Sequence, residues 1–164
     1  MPGGSASPPS SDGVTASPAA GYSGTPLPRK LGIRPGARVV LSGAPPGAEA
    51  LLDDLPDGVR LSRRLAGAAD VIVLFADRRA DLARRLPAAQ AAMRPDGGLW
   101  VAWPKRASGV PTDITEDVVR EMGLAAGLVD NKVCAIDATW SGLRLLVRVR
   151  DRPPRTPPER QEAR

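Results

Sequence analysis

The chain has 164 residues, a formal net charge of +5, no histidine and a single cysteine. Without an imidazole there is no histidine general base, no Ser-His-Asp triad and no histidine metal ligand. One thiol makes neither an intramolecular disulfide nor a cysteine-based zinc site, so no metal centre is expected and a reducing cytoplasm fits. The basic charge does not by itself favour a nucleic-acid partner. The arginines are scattered as the pairs Arg63-Arg64, Arg78-Arg79 and Arg84-Arg85, with Asp77 and Asp81 between them, and no aromatic platform accompanies them.

Residues 1–20 are rich in Ser, Pro, Ala and Gly and carry Asp12 as their sole charge. They show neither the basic start nor the apolar run of a signal peptide, and a disordered tail is expected. Residues 21–150 are long enough for one domain with its own core. Nothing in them approaches the apolar length of a bilayer span, so no membrane association is expected. Residues 151–164, DRPPRTPPERQEAR, alternate charge with proline and read as a second disordered tail.

Within the domain, strand-like and helix-like runs alternate, the pattern of a layered α/β fold with a mainly parallel sheet. Arg38 to Ser42 is a first strand, followed by the turn Gly43-Ala-Pro-Pro-Gly47 and a short helix over Ala48 to Asp54. Val59 to Ser62 is a weak second strand. Asp70 to Phe75 is continuously apolar after its first residue, as expected of a strand covered on both faces. The next helix is expected to start from Asp77 as N-cap and to bury Leu82, Leu86, Ala89 and Met93, with a kink or break at Pro87. The turn Arg94-Pro-Asp-Gly-Gly98 leads into a fourth strand, Gly98 to Trp103, in which Trp100 fills the core and its indole N–H finds a backbone partner.

Thr115 to Ala126 reads as a helix begun near Asp113 or Thr115 and closed by Gly127. Leu128 to Ile136 and Leu143 to Arg150 are two final strands, and the link Asp137 to Gly142 is short enough to make them an antiparallel pair. Cys134 lies in the apolar run of the first of these as a small structural residue, with Lys132 expected to point to the opposite face.

The fold class that follows is α/β: a single three-layer Rossmann-like domain, mainly parallel, with an antiparallel C-terminal strand. The closing hairpin and the segment RPDGGLWVAW make the chain resemble the class I S-adenosylmethionine-dependent methyltransferases over roughly Arg38 to Arg150, with a thinned second helical layer. That resemblance implies a cofactor beside the first turn. Here, however, the turn has only Gly43 and Gly47, and Ser62-Arg63-Arg64 stands where such folds place an acidic residue for the ribose, so the cofactor is left open. Four longer stretches, GYSGTPLPRKLGIRPG, LAGAADVIVLF, LWVAWPKRASGVPTDITEDVVR and VDNKVCAIDATWSGLRLLVR, resemble the actinobacterial domain-of-unknown-function family 3052. This likeness points to relatives and implies no particular reaction.

In open α/β sheets ligands bind beyond the carboxyl ends of the parallel strands. The loops that reach that edge nominate Gly43, Gly47, Lys105, Ser108, Thr112, Asp113 and Trp140 as ligand-binding residues, with Tyr22 and Ser23 as a candidate lid. The leading expectation is a small-molecule ligand, nucleotide-like or anionic, bound without a catalytic step. An active S-adenosylmethionine-dependent methyltransferase and a non-catalytic module for a protein partner are the alternatives. Thr112, Asp113 and Thr115 have a competing reading as caps of the following helix.

Overall fold

The computed structural model describes residues 25–65 and 67–153. The two expected tails, up to residue 24 and from residue 154, and the candidate lid residues Tyr22 and Ser23 lie outside the described residues. The described chain runs through α1 (Leu27–Lys30), β1 (Arg38–Ser42), a 3₁₀ turn at Ala48–Leu52, β2 (Arg60–Ser62), β3 (Ala69–Phe75) and α2 (Arg79–Ala92). It continues through β4 (Met93–Pro104), a 3₁₀ turn at Arg106–Ser108, α3 (Glu116–Ala125), β5 (Leu128–Ala135) and β6 (Trp140–Val147).

Six strands form one sheet in the order β2-β1-β3-β4-β6-β5. β1 pairs in parallel with β2 and β3, and β3 with β4, while β6 runs antiparallel to both β4 and β5. The expected three-layer, mainly parallel domain with an antiparallel C-terminal strand is therefore present. Both faces of β3 are covered, which is why its sequence is an unbroken apolar run instead of an alternation. On one face Ile72, Leu74, Leu99 and Val101 pack against Leu82, Leu86 and Ala89 of α2 and Val119 of α3. On the other, Val39, Leu41, Val73 and Trp100 meet Leu31 after α1 and Ala48 and Leu52 of the first 3₁₀ turn. That second layer is thin, and Trp100 anchors it. Its indole Nε1 donates to Leu31 O at 3.1 Å, the backbone partner expected of it.

Several expectations are corrected. α1 had no counterpart in the sequence reading, being four residues with a proline in its first turn. α2 starts at Arg79 and not from an Asp77 cap: the N-cap residue is Arg78, and the carboxylate of Asp113, far along the chain, accepts from Arg79 N at 2.7 Å. Pro87 does not break α2, which is continuous over Arg79–Ala92. Both Pro87 and Ala83, whose carbonyl loses its donor, lie on the exposed side of the helix, while Leu82, Leu86 and Ala89 stay buried.

β4 begins earlier than expected, because the Arg94-to-Gly97 turn is a bulge inside the strand, between the pairs Ala69↔Met93 and Val71↔Gly98. Asp70 holds this bulge through Arg94 at 3.1 Å and also accepts from Arg38 N at 2.8 Å. β6 starts at Trp140, three residues before the expected Leu143. The Asp137 side chain accepts from Thr139 N and Trp140 N at 2.8 and 2.7 Å and tightens the hairpin. Lys132 does not point away from Cys134. Residues two apart on a strand share a face, and they pair with Arg144 and Gly142 of the same strand.

Candidate functional site

The carboxyl edge of the sheet divides into two places. The first lies where β4 ends. Lys105 N donates to Thr139 O at 2.7 Å, so the end of β4 and the β5–β6 hairpin are tied together. The chain then turns through Arg106–Ser108 and closes on Gly109 at φ +80°, a conformation that favours glycine. Ser108 helps to build this turn: its hydroxyl donates to Lys105 O at 2.7 Å and accepts from Val110 N at 3.2 Å.

Behind the turn lies an open groove of about 520 Å³, whose lining includes Trp103, Lys105, Arg106, Thr112, Glu116 and Ser141. Two cations stand at one wall. Thr112 is held there by donating to Asp77 O at 2.7 Å and accepting from Ile114 N at 3.0 Å. Asp113 is spent on the first turn of α2, and Thr115 caps α3 by accepting from Val118 N at 3.2 Å. The capping reading therefore holds for Thr115, while Asp113 caps a different helix from the one it precedes.

The second place is the crevice between β1 and β3, where the strand order reverses and where open α/β folds hold nucleotides. Here the protein's own guanidinium groups reach across the strand ends and the turn after β1. Arg85, from α2, donates to Phe75 O at 2.8 Å and to Ser42 Oγ at 3.3 Å, bridging the last residues of β3 and β1, and pairs with Asp81 at 2.6 Å. It lies so close to Gly43 that a Cβ at that position would collide with it. Gly43 and Gly47 both take positive φ, at +67° and +79°, so both are turn residues.

Arg63, just past β2, folds across the same turn. It donates to Ala44 O and Pro45 O at 2.8 and 3.0 Å and grips Glu49 at 2.6 and 2.9 Å. This hydrogen-bonded guanidinium holds the Glu49 carboxyl well below the ordinary range, at about 2. Trp140 is on this side as well, its ring meeting Phe75 edge-on at a centroid distance of 5.0 Å.

The seven nominated residues are thus not one cluster. Lys105 and Thr112 line the groove, Ser108 and Asp113 shape its walls, and Gly43, Gly47 and Trp140 belong to the crevice and its surroundings. Ser141, which the sequence did not nominate, also lines the groove. Neighbouring strand residues point to opposite faces, so a hairpin begun at Trp140 puts Ser141 on the groove side. Cys134 is half-buried, and burial pushes its thiol pKa up against the opposing pull of Lys30 and Lys132, as suits a structural cysteine.

Solved structures share this fold. A SAM-dependent methyltransferase from Aquifex aeolicus superposes with a TM-score of 0.55 at 13% identity, over 71% of this chain and 85% of that one. Fibrillarin from Aeropyrum pernix, in complex with natively bound S-adenosyl-L-methionine, gives 0.52 at 15% identity, over 77% and 70%. Magnesium protoporphyrin IX methyltransferase from Synechocystis with bound SAM gives 0.50 at 11% identity, over 74% of each chain. Other matched structures are larger, and the chain spans 39% of their length. No curated protein matches by sequence. Among the described residues no helix is long and apolar enough to cross a membrane. The family model described as Protein of unknown function (DUF3052) matches residues 53–149, more than half of the chain and the span from β2 to β6 that builds the groove, and the protein belongs to that family.

Proposed function

We propose that this protein uses a methyltransferase-like fold to bind a small anionic ligand without catalysis, in the groove at the end of β4. The observation that carries the reading is the contrast between the two parts of the carboxyl edge. The crevice at the strand-order reversal is bridged by Arg85 and roofed by the Arg63–Glu49 pair, whereas the groove beside Lys105 and Arg106 is open at about 520 Å³. Lys105 and Arg106 supply the charge, Ser141 and the backbone around Gly109 supply polar contacts, and Trp103 gives an apolar wall.

S-adenosylmethionine, the cofactor of the fold neighbours, does not fit the residues present. The position after β2 that would take ribose hydroxyls carries Ser62, Arg63 and Arg64, and the glycine turn is clasped by Arg63.

A thermal-shift panel of S-adenosylmethionine, NADP, coenzyme A derivatives and sugar phosphates tests the reading. A ligand at a hundred times its Kd stabilises by about 2.7 kcal/mol, which raises Tm by roughly 8 °C in a domain of this size. The expected result is such a shift with an anionic compound in the wild type and its loss in Lys105→Gln. Flat melting curves throughout, or a shift indifferent to Lys105→Gln, would refute it. Stabilisation by S-adenosylmethionine, with transfer of its labelled methyl group to cell extract, would establish the active methyltransferase instead.

A further inference from the structure

A second concentration of positive charge lies away from the groove, on the opposite face of the sheet. Along β6, Gly142 touches Trp100 and Ile136 on the face covered by α1, so Arg144, two residues on, rises from that same face. Two glycines make room for its guanidinium. A Cβ at Gly98 of β4 would stand 2.6 Å from Arg144 Nε, and one at Gly32, after α1, 3.8 Å from Nη2. Among the described residues Arg144 Nε is the one buried side-chain polar atom without a hydrogen-bond partner.

The surroundings add charge of the same sign. Lys132 is the direct cross-strand partner of Arg144 on β5, an arrangement of like charges that antiparallel sheets ordinarily avoid. Lys132 Nζ is turned toward α1, donating to Lys30 O at 3.4 Å. Arg152 is drawn inward by its Nε donating to Val147 O at 3.1 Å. Burial lowers the Arg144 pKa, and the charges of Arg152 and Arg34 lower it further. Of this cluster, Arg34 lines an open groove of about 510 Å³, which reaches the Arg144 guanidinium at Gly32 and whose lining also includes Arg29, Ile33 and the carboxylate of Asp54.

We propose that Arg144, with Arg34, Lys132 and Arg152 around it, forms an anion site for a phosphate group, free or as the monoester of a small molecule. A guanidinium fixed between two backbones presents a planar fork that matches a tetrahedral oxyanion, and several cations of one sign favour a dianion over a single carboxylate. The aromatic ring beneath, Trp100, is fully buried, so the site offers no stacking platform for a nucleic-acid base.

The test is calorimetric titration of the full chain with inorganic phosphate and, in a second arm, with a phosphate monoester such as glycerol phosphate. In parallel, the Arg144 Nε–H resonance is followed by NMR. Expected are saturable binding with a shift of that resonance, a loss of at least tenfold in affinity in Arg144→Gln, and a loss of several-fold in the exposed Arg34→Gln, which spares the packing. Tighter binding in the ester arm identifies a phosphorylated small molecule, and equal binding identifies the free ion. Absence of saturable binding, or affinity unchanged in both variants, overturns the proposal. Loss of binding in Lys105→Gln instead would move the phosphate to the other groove and overturn it equally.

Discussion

Replacing Trp100 by Phe tests whether one buried hydrogen bond holds the thin layer of the fold. Trp100 is fully buried and its indole donates to Leu31 O, the carbonyl that ends α1. Phenylalanine keeps an aromatic ring but is roughly 40 Å³ smaller, which at about 24 cal/mol per Å³ of residual cavity costs ~1 kcal/mol. It also leaves a buried carbonyl without its donor, adding about 1–3 kcal/mol. Urea unfolding should therefore show a loss of about 2–4 kcal/mol, or a midpoint lower by about 1–2 M at an m-value of ~2 kcal/mol per M. Trp103→Phe is the control: that ring lines the groove on the other face, and its loss should cost about 1 kcal/mol. If Trp100→Phe costs less than about 1 kcal/mol, or no more than the control, the indole is not what secures α1 and the reasoning fails.

Gly43→Ala should destabilise by roughly 1–3 kcal/mol, since its φ of +67° is unfavourable for alanine and its Cβ would meet Arg85. In an Arg85→Ala background the collision vanishes, and thermal melts should show a smaller penalty. Glu49 titrates at about 2 when folded, below its ordinary 4.5, chiefly because Arg63 hydrogen-bonds the ionised form. The clasp's contribution is thus complete above pH 4.5 and is lost as pH falls through about 2, whereas in Arg63→Gln the Glu49 carboxyl resonance should titrate at a higher pH, closer to its ordinary range. Cys134, held protonated by burial, should alkylate with iodoacetamide more slowly at pH 8 than the same thiol in urea-unfolded protein; equal rates would contradict that assignment.

The strands were legible where burial on both faces wrote them as apolar runs: β1 matches its expected bounds, and β3 differs by one residue. What could not be read were features set by tertiary contact. α1 is held by Trp100, 69 residues along the chain, and α2 takes its capping carboxylate from Asp113, 34 residues beyond Arg79. Local sequence at Asp77 offered a plausible cap that the fold did not use. At the site, Lys105 and Thr112 were found together because they share one loop. Because the Asp137 side chain starts β6 three residues early, Trp140 lies beside Phe75 and Ser141 is the hairpin residue that lines the groove. Arg63 and Arg64 are exposed, as expected of paired arginines, yet only the structure reveals that Arg63 clasps the glycine turn.

The use of Asp113 on α2, not on the helix it precedes, and the bonds of Arg85 give α2 two attachments of different kinds. Its first residue, Arg79, is fastened to the groove loop, and less than two turns later, about 9 Å along the axis, Arg85 is fastened to the ends of β1 and β3. A short helix transmits displacement as a stiff rod. A displacement of the loop would act on Arg79 and, through the helix, on the guanidinium that bridges the ends of β1 and β3. The two halves of the carboxyl edge are therefore joined through one helix, and Asp113→Ala should be readable as faster amide exchange at Arg79 and altered side-chain order at Arg85.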